Sequence, residues 1–574
     1  MYKVGVSKVE LIFEGEGFGM MGYGRAFNII KGRSTPLYCR SFCFENENGQ
    51  RSFFVQAEIC MVFPEIKKEV LERLQHNYPD SLFRDDNVML TAQHTHSGPA
   101  GFSHYPMYNF AVPGFRPHIF ESIVRCFYDA LVKSYENRQE AVLKFAHGDF
   151  PETEDVGFNR SLAAYNLNPK VKKLKDTETH LAMERTMWLL KAETPEGDSI
   201  GQINWFGVHP TSLGNKVGLI SYDNKGYASE YLEEDMGEHT VAVFAQQFAG
   251  DISPNFHGKG KKWPKGKFKD DIESAKFNGK LQSNQALRIL AKMDNRHRLK
   301  SSEMDTEVIY RDFSKVKIDP EFTDGKEDER TWLPCHGVAF LKGTPVDGKG
   351  MPESIAGLAI SIIKSLRQSE LTKAQILTPE KREQIEAKYK AQDPKDIAFE
   401  TGEGIVMGTK DIKNLFLPGI LDGAVQEMKR EHRAGALREL PWSPVVLPLQ
   451  FLRLGELAII GFPGEITTEA GRQLRNLCQE ILSETGIKHV VISSYANSYF
   501  GYCTTFEEYQ AQMYEGGHTV FGSRTHDAFR TEFKKMLREC LKPHTERKFE
   551  RNAKPKVFSD KELSIRTIDS KGRK

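Results

Sequence analysis

Apolar residues recur along this chain in two rhythms. Short strand-like runs fall at 8–13, 40–47, 52–58, 87–92, 142–146, 187–190, 200–208, 240–248, 445–454, 456–462 and 489–494. Apolar positions at helical spacing fall at 64–77, 119–135, 270–292 and 468–485. Asn48-Gly49 is hairpin chemistry between the second and third runs, and 445–454 with 456–462 makes another hairpin. Residues 187–190 and 200–208 read as a strand pair. The stretch 366–395 is helical but charge-dense, so it is expected outside the core. A short helix is expected to begin within 507–514, and another helix from Asp527. A mobile polar tail should run from Lys542 to Lys574. Strands interleaved with helices predict an α/β fold: a mixed β-sheet catalytic domain with surrounding helices and an active site on loops at strand ends. That domain is expected over 1–525, with a C-terminal helix and basic tail over 526–574.

Several strand-like runs end in a reactive side chain. Residues 87–92 run into Gln93-His94-Thr95-His96 and stop at Ser97-Gly98-Pro99. In an extended chain, residues two apart point to one side, so His94 and His96 can face one pocket. Neutral imidazole is the commonest metal ligand, and by periodicity both histidines qualify. The pattern recurs at His209, Ser253, Glu465 and Tyr502. Plainer roles exist for each type. Gly250-Asp251-Ile252-Ser253-Pro254-Asn255 is turn chemistry in which a serine caps its own turn. Glu465 precedes a helix, where an acid suits the dipole. Arg160 lies in the polar loop 158–169, where arginine is usually solvated. Taken together, two or three histidines, a carboxylate and a phenol form a mixed nitrogen and oxygen set suited to a catalytic zinc with an open position. Tyrosine is an uncommon ligand, and spacing alone does not select Tyr502.

Composition narrows the classes. A chain of 574 residues allows two to four domains, or one large α/β unit with insertions. With 39% hydrophobic and 27% charged residues it is globular. The 79 basic and 78 acidic side chains nearly cancel, which excludes nucleic acid as the main partner. The eight cysteines are scattered with no CxxC pair, as in a reduced compartment. No secretory h-region opens the sequence, so a cytoplasmic location is expected, with a secreted or periplasmic one as the alternative. Gly17 to Gly22 spells GxGxxG, but no helix pattern follows, so it reads as a loop rather than a dinucleotide site. The lysine-rich 259–269 reads as a solvated insertion, and the basic 428–438 as a solvated face able to rest near anionic lipid.

Seven segments, in one order up to about Gly522, resemble the neutral (non-lysosomal) ceramidases. They are Met20-Met21-Gly22-Tyr23, His94-Thr95-His96-Ser97-Gly98-Pro99, Asn159-Arg160-Ser161, 204–212 around His209, 250–255 around Ser253, Pro463-Gly464-Glu465-Ile466-Thr467-Thr468, and 501–509 around Tyr502. The resemblance implies hydrolysis of the amide of N-acylsphingosine (ceramide) to a sphingoid base and a fatty acid, with one zinc ion per chain. It implies His94, His209, Glu465 and Tyr502 as metal ligands. It places Ser253, His96, Tyr514 and Arg160 in the catalytic site, with His96 beside the metal rather than on it. Ser253 stands at the catalytic serine position, and two roles stay open for its hydroxyl. It attacks as a nucleophile activated by the metal and a histidine, or it positions a zinc-bound water. His96 suits proton transfer near neutral pH. Tyr514 and Arg160 suit oxyanion stabilisation or head-group anchoring.

Family members usually continue into an immunoglobulin-like C-terminal domain and are generally secreted or membrane-associated. About fifty residues follow Gly522, too few for a sandwich of about 100 residues, so that domain is not expected here. The expected function is therefore a zinc-dependent amidohydrolase acting on a ceramide-like lipid, with peripheral membrane contact among its expected interactions. The alternatives are a zinc amidase or esterase for another N-acyl lipid or small amide, and a non-catalytic lipid- or metal-binding relative. Oligomeric state has no signature in the sequence.

Overall fold

In the computed structural model, which describes residues 2–237, 239–257, 266–344, 346–414 and 422–568, the strands form two main sheets. The first contains β1 (Tyr2–Glu10), β2 (Tyr38–Asn46), β3 (Arg51–Ala57), β4 (Val88–Ala92), β5 (Gln139–Asp149), β6 (Thr186–Glu193), β7 (Ser199–Trp205) and β8 (Val241–Ala245). Their order across the sheet is β8-β7-β6-β5-β1-β2-β3-β4. The second contains β9 (Met304–Asp312), β10 (Val446–Leu454), β11 (Leu457–Gly461) and β12 (His489–Ser493), side by side in that order. Neighbours are antiparallel except at β3·β4, β7·β8 and β11·β12, which are parallel. A parallel pair needs a crossover, and helices supply it. They are α1 (Pro64–Asn77) between β3 and β4, α3 (Asp223–Met236) between β7 and β8, and α8 (Thr468–Leu482) between β11 and β12.

Alternation along the strands decides the layers. Phe42, Phe44, Met89, Leu457, Ile459 and Val491 point into the space between the sheets. Their neighbours Cys43, Val88 and Leu90 face α1 and α2 (Pro117–Glu136). Ala458, Ile460, Val490 and Ile492 face α8 and α9 (Thr525–Cys540). The helix α4 (Asp271–Leu290) packs with α3 over the β5, β6 and β8 side. The result is helix, sheet, sheet, helix. The first sheet curls until its far strands meet: Gln56 Nε2 on β3 donates to Phe244 O on β8 at 3.2 Å. The turn after β12 then closes on β4, where Ala92 N–H donates to Tyr495 O at 3.3 Å and Leu90 N–H to Asn497 Oδ1 at 3.0 Å.

The helix bounds at 64–77 and the hairpin around Gly49 agree with the sequence pattern, and Gly49 has the positive φ of +75° that its turn requires. Three differences have physical reasons. The loop 158–169 is not solvated: Asn159, Arg160 and Ser161 are all buried, because charged and polar partners await them inside. The face 428–438 begins in α7 (Asp422–Ala434), which turns Met428 and Glu431 inward, and continues past its end. The polar segment after Lys542 is held over its described part, 542–568, rather than loose. Arg547 reaches Asp305 at 2.5 Å and Arg551 reaches Glu307 at 2.7 Å. Phe558 packs edge-on against Tyr105 at 5.2 Å, and Arg566 Nη2 donates to His104 O at 2.7 Å. The helices α5 (Glu353–Ala374) and α6 (Pro379–Gln392) lie on the outside, as their charge predicts, with only one edge buried. Most of the lysine-rich 259–269 lies outside the described residues.

Phe558→Ala should therefore lower stability by about 3 kcal/mol in urea unfolding, the cost of truncating a buried phenyl ring, and expose 543–568 to limited proteolysis. An unchanged urea midpoint would show that the segment does not anchor there.

Candidate functional site

The three crossover units point the carboxyl ends of their strands at one place. His94 follows β4, His209 follows β7, the Ser253 loop follows β8, Glu465 follows β11 and Tyr502 follows β12. Loops beyond strand carboxyl ends are where open α/β sheets build sites.

The route taken by the two neighbouring histidines differs from strand alternation. His94 has φ of +81°, a left-handed conformation that costs a non-glycine residue about 1–3 kcal/mol. Its N–H donates to Ile59 O at 2.9 Å, which pins the bend. The bend brings His94 Nε2 within 3.0 Å of His96 Nε2. His94 Nδ1 faces Cys60 O at 2.7 Å, and His209 Nδ1 faces Ile252 O at 2.9 Å. A carbonyl there takes the Nδ1 proton and leaves the Nε2 lone pair free, the arrangement of a metal-binding imidazole. Both Nε2 atoms aim at one carboxylate: Glu465 Oε1 is 3.2 Å from His94 and Oε2 is 2.9 Å from His209. Glu465 and Tyr502 are register partners in a two-residue parallel ladder, so backbone pairing sets the phenol beside the carboxylate. Tyr502 OH lies 3.3 Å from His209 Nε2. Ligand atoms of His94, His209 and Glu465 all lie within 4.8 Å of one another, and all three residues are buried.

This donor set fits zinc: two imidazole nitrogens, a carboxylate and a phenol, with carbonyls fixing both rings. Cys60, His94 and His96 form a second group of similar span. It is poorer in ligands, because His94 Nδ1 is committed to a carbonyl and burial pushes the Cys60 thiol up. Electrostatics point the same way. Burial pushes the Glu465 carboxyl up, but the charge of His94 and the closeness of both imidazoles hold it well below the usual range. Burial pulls His94 down, but Glu465 and Cys60 push it up to about 10. The site favours positive charge between its imidazoles and carboxylate, and a cation supplies that as a proton does. His209 is lowered by burial and by the Arg160 charge, and His96 by burial and the charges of His94 and His209. Burial and Glu465 push the Tyr502 phenol up, while Arg160 pulls it down.

The remaining predicted residues surround this group. His96 stands edge-on to Tyr23 at 4.8 Å, and its Nδ1 is buried without a hydrogen-bond partner. Arg160 donates to Glu515 Oε1 at 2.9 Å, to Asp347 Oδ2 at 2.8 Å, and from Nη2 to both Gly250 O at 2.9 Å and Tyr502 OH at 3.1 Å. The Tyr514 ring meets Tyr502 edge-on at 5.4 Å. Ser253 is brought near through Arg160 and Asp347 rather than by contact with a histidine: its hydroxyl donates to Asp347 Oδ1 at 2.7 Å. Above the group opens a cleft of about 180 Å³ lined by Met21, Met107, Tyr108, Phe110, Val112, Phe340, Phe399 and Met428, with His94, His96, Glu465, Tyr502, Tyr514 and His518 among its polar residues.

Sequence reading missed Asp347, Glu515, Tyr499 and His518. Tyr499 OH donates to Glu465 Oε1 at 2.6 Å, and Glu515 also accepts from Ser161 Oγ at 2.6 Å. Tyr499, Glu515 and His518 lie close to the Tyr502 motif, so nearness was a usable signal for them. Asp347 had none.

Residues 2–415 and 427–531 match the family model described as "Neutral/alkaline non-lysosomal ceramidase, N-terminal". The chain belongs to this ceramidase family. The neutral ceramidase of Pseudomonas aeruginosa is 32% identical over 554 residues, covering 95% of this chain and 73% of the relative. Neutral ceramidase A of Dictyostelium discoideum is 30% identical, covering 94% and 73%. The crystal structure of the Pseudomonas aeruginosa neutral ceramidase superposes with a TM-score of 0.76 at 30% identity, over 98% of this chain and 77% of that one. A structure described as "Ceramidase complexed with C2" gives a TM-score of 0.76 at 31% identity, over 94% and 75%.

One backbone requirement of this ceramidase-family site is testable directly. Gly22 has φ of +115°, and a Cβ there would lie 2.5 Å from the His96 ring. Gly22→Ala is expected to cost about 1–3 kcal/mol in urea unfolding and to displace His96. Wild-type stability in that variant would refute the close approach.

Proposed function

We propose that this chain hydrolyses the amide bond of N-acylsphingosines to a sphingoid base and a free fatty acid, with one zinc ion held by His94, His209, Glu465 and Tyr502. One observation carries the reading: two free imidazole Nε2 atoms, a carboxylate and a phenol converge beneath a largely apolar cleft. When bound, zinc supplies a Lewis acid for the amide carbonyl and lowers the pKa of water to about 7. The chain's own residues do the rest. The methionines and aromatics of the cleft take the hydrocarbon chains and exclude water. Tyr514 lines the cleft beside Tyr502, where a phenol can stabilise negative charge developing on the carbonyl oxygen, and Arg160 supports it from behind by donating to the Tyr502 hydroxyl. Burial and its imidazole neighbours keep His96 neutral, so its unpartnered Nδ1 can accept a proton and return it to the leaving amine.

Contact with a lipid surface is part of the proposal. Leu358, Ile362 and Leu366 are 59, 44 and 39% exposed and follow one another at four-residue spacing on α5. The inner side of the same helix, Ala356, Ala359 and Ile363, packs in the cluster that holds Phe399 and Met428 of the cleft wall. A helix that backs the cleft thus turns an apolar ridge outward, which suits a substrate that resides in a bilayer.

The purified chain should contain one zinc per molecule and hydrolyse a short-chain ceramide. Chelation should abolish turnover, and added zinc should restore it. His209→Ala and Glu465→Gln should lose the metal and more than about 100-fold in kcat. Zinc with turnover of other N-acyl amides but not ceramide would move the reading to another amidase, and binding without any hydrolysis to a silent relative.

Replacing Leu358, Ile362 and Leu366 together by serine should weaken binding to phosphatidylcholine vesicles more than about tenfold, since each apolar side chain is worth about 1.5–3 kcal/mol when buried. Turnover of detergent-dispersed substrate should hold. Unchanged vesicle flotation would remove the ridge from the proposal.

A further inference from the structure

Three separate loops send polar side chains to one carboxylate that no strand-end pattern marks. Asp347 lies in a small hairpin whose strands are Gly343–Thr344 and Gly348–Lys349. Its Oδ1 accepts from Ser253 Oγ at 2.7 Å, Asn255 Nδ2 at 2.8 Å and Thr211 Oγ1 at 3.3 Å. Its Oδ2 accepts from Arg160 Nη1 at 2.8 Å. Its backbone N–H donates to Thr344 Oγ1 at 3.0 Å, which fixes the turn. The side chain is 5% exposed. A carboxylate is removed from water only at high cost unless its lone pairs are filled, and here four donors fill them.

The same bonds constrain the donors. Ser253 has one proton, and it is committed to Asp347. The Asn255 N–H, at 3.1 Å, occupies a lone pair of the hydroxyl. The guanidinium of Arg160 is a rigid planar fork. Asp347 grips it at Nη1 and Glu515 at Nε, and that grip sets the direction in which Nη2 meets Tyr502 OH. Asp347 thus reaches the proposed metal ligand through Arg160 and the turn of Ser253 directly, without lining the cleft.

We propose that Asp347 is a positioning residue for the hydrolysis: it fixes the Ser253 hydroxyl and turns Arg160 onto Tyr502. This rests on the amide-hydrolase reading above.

Asp347→Asn keeps the size and one acceptor but removes the charge. Assayed with the zinc-loaded protein well below its unfolding midpoint, it should lower kcat on short-chain ceramide about 10–100-fold, as loss of a supporting hydrogen-bond partner does. KM should stay within about twofold, with zinc still at one per chain, since no substrate or metal contact is removed. In urea, the midpoint shifts of Asp347→Asn and Ser253→Ala should sum to more than the shift of the double variant, because both singles break one shared bond. That readout does not depend on activity. If Asp347→Asn fails to fold, Asp347→Glu, which keeps the charge but moves it, should show the same kcat-selective loss. Wild-type kcat in the folded variant, a loss matched by loss of zinc, or strictly additive midpoint shifts would each overturn the assignment. A wild-type chain that turns over no ceramide would overturn the functional reading and this role together, whereas an active wild type with an indifferent Asp347→Asn would overturn this role alone.

Discussion

The carboxylate of Glu465 joins the two sheets. It leaves the second sheet at the end of β11, and both imidazoles that meet it come from the first, after β4 and β7. A buried charge without partners is strongly destabilising. Tyr499 donates to Glu465 from the same half of the molecule, but the two imidazoles reach the carboxylate only when the sheets are docked, and Oε2, 2.9 Å from His209 Nε2, still has no hydrogen-bond donor among the described residues. The dependence runs the other way too. The two Nε2 atoms share no sheet position that would hold them together: β4 is one edge of the first sheet, and β7 lies next to the opposite edge. They meet because that sheet curls and the second sheet closes its mouth. Assembly of the core and assembly of the site are one event.

Parallel pairing explains why so much chemistry arrives at one rim. Each parallel pair forces a helical crossover and brings two strand carboxyl ends side by side. Three such units supply His94, His209, the Ser253 loop, Glu465 and Tyr502. The antiparallel strands between them contribute packing instead. Even the phenol is placed by backbone rather than by side-chain fit, through the short ladder in which Glu465 pairs with Tyr502. Hydrogen bonds from Thr467 N–H to Cys503 O at 3.0 Å and from Glu465 N–H to Gly501 O at 2.9 Å hold that ladder in register.

Those strand ends were legible because an apolar run that stops at a polar turn is a local signal. The convergence was not, since nothing local says that the first sheet curls. Periodicity put His94 and His96 in one pocket, and the structure brings them together by a different route. The rings meet through a left-handed bend at His94, a conformation that sequence rarely announces outside glycine. Tyr502 was beyond spacing and came from resemblance alone. Asp347 escaped both routes. It sits in a hairpin with no apolar pattern, and its importance lies in four partners distant in sequence. The segment 542–568 looked loose for a similar reason. It is polar in composition, but its arginines find carboxylates on β9, and its deep anchors, Phe558, Arg566 and Ile568, stand singly in a polar run.

The two roles left open for the Ser253 hydroxyl are not equally easy in this geometry. The side chain is fully buried and is not among the residues that line the cleft. Attack on a substrate carbonyl would require it to turn from Asp347 and from the Asn255 N–H. Asp347 Oδ1 would then lose the closest of its three donors, and leaving a buried group short of a partner costs about 1–3 kcal/mol. Its proton would also need a new acceptor, and the carboxylate already beside it is tied to Arg160. Acting in place, the hydroxyl asks for none of this. It holds Asp347, Asp347 holds Arg160, and Arg160 holds the phenol beside His209. A serine that orders the site without forming a bond to substrate is the simpler consequence of these contacts.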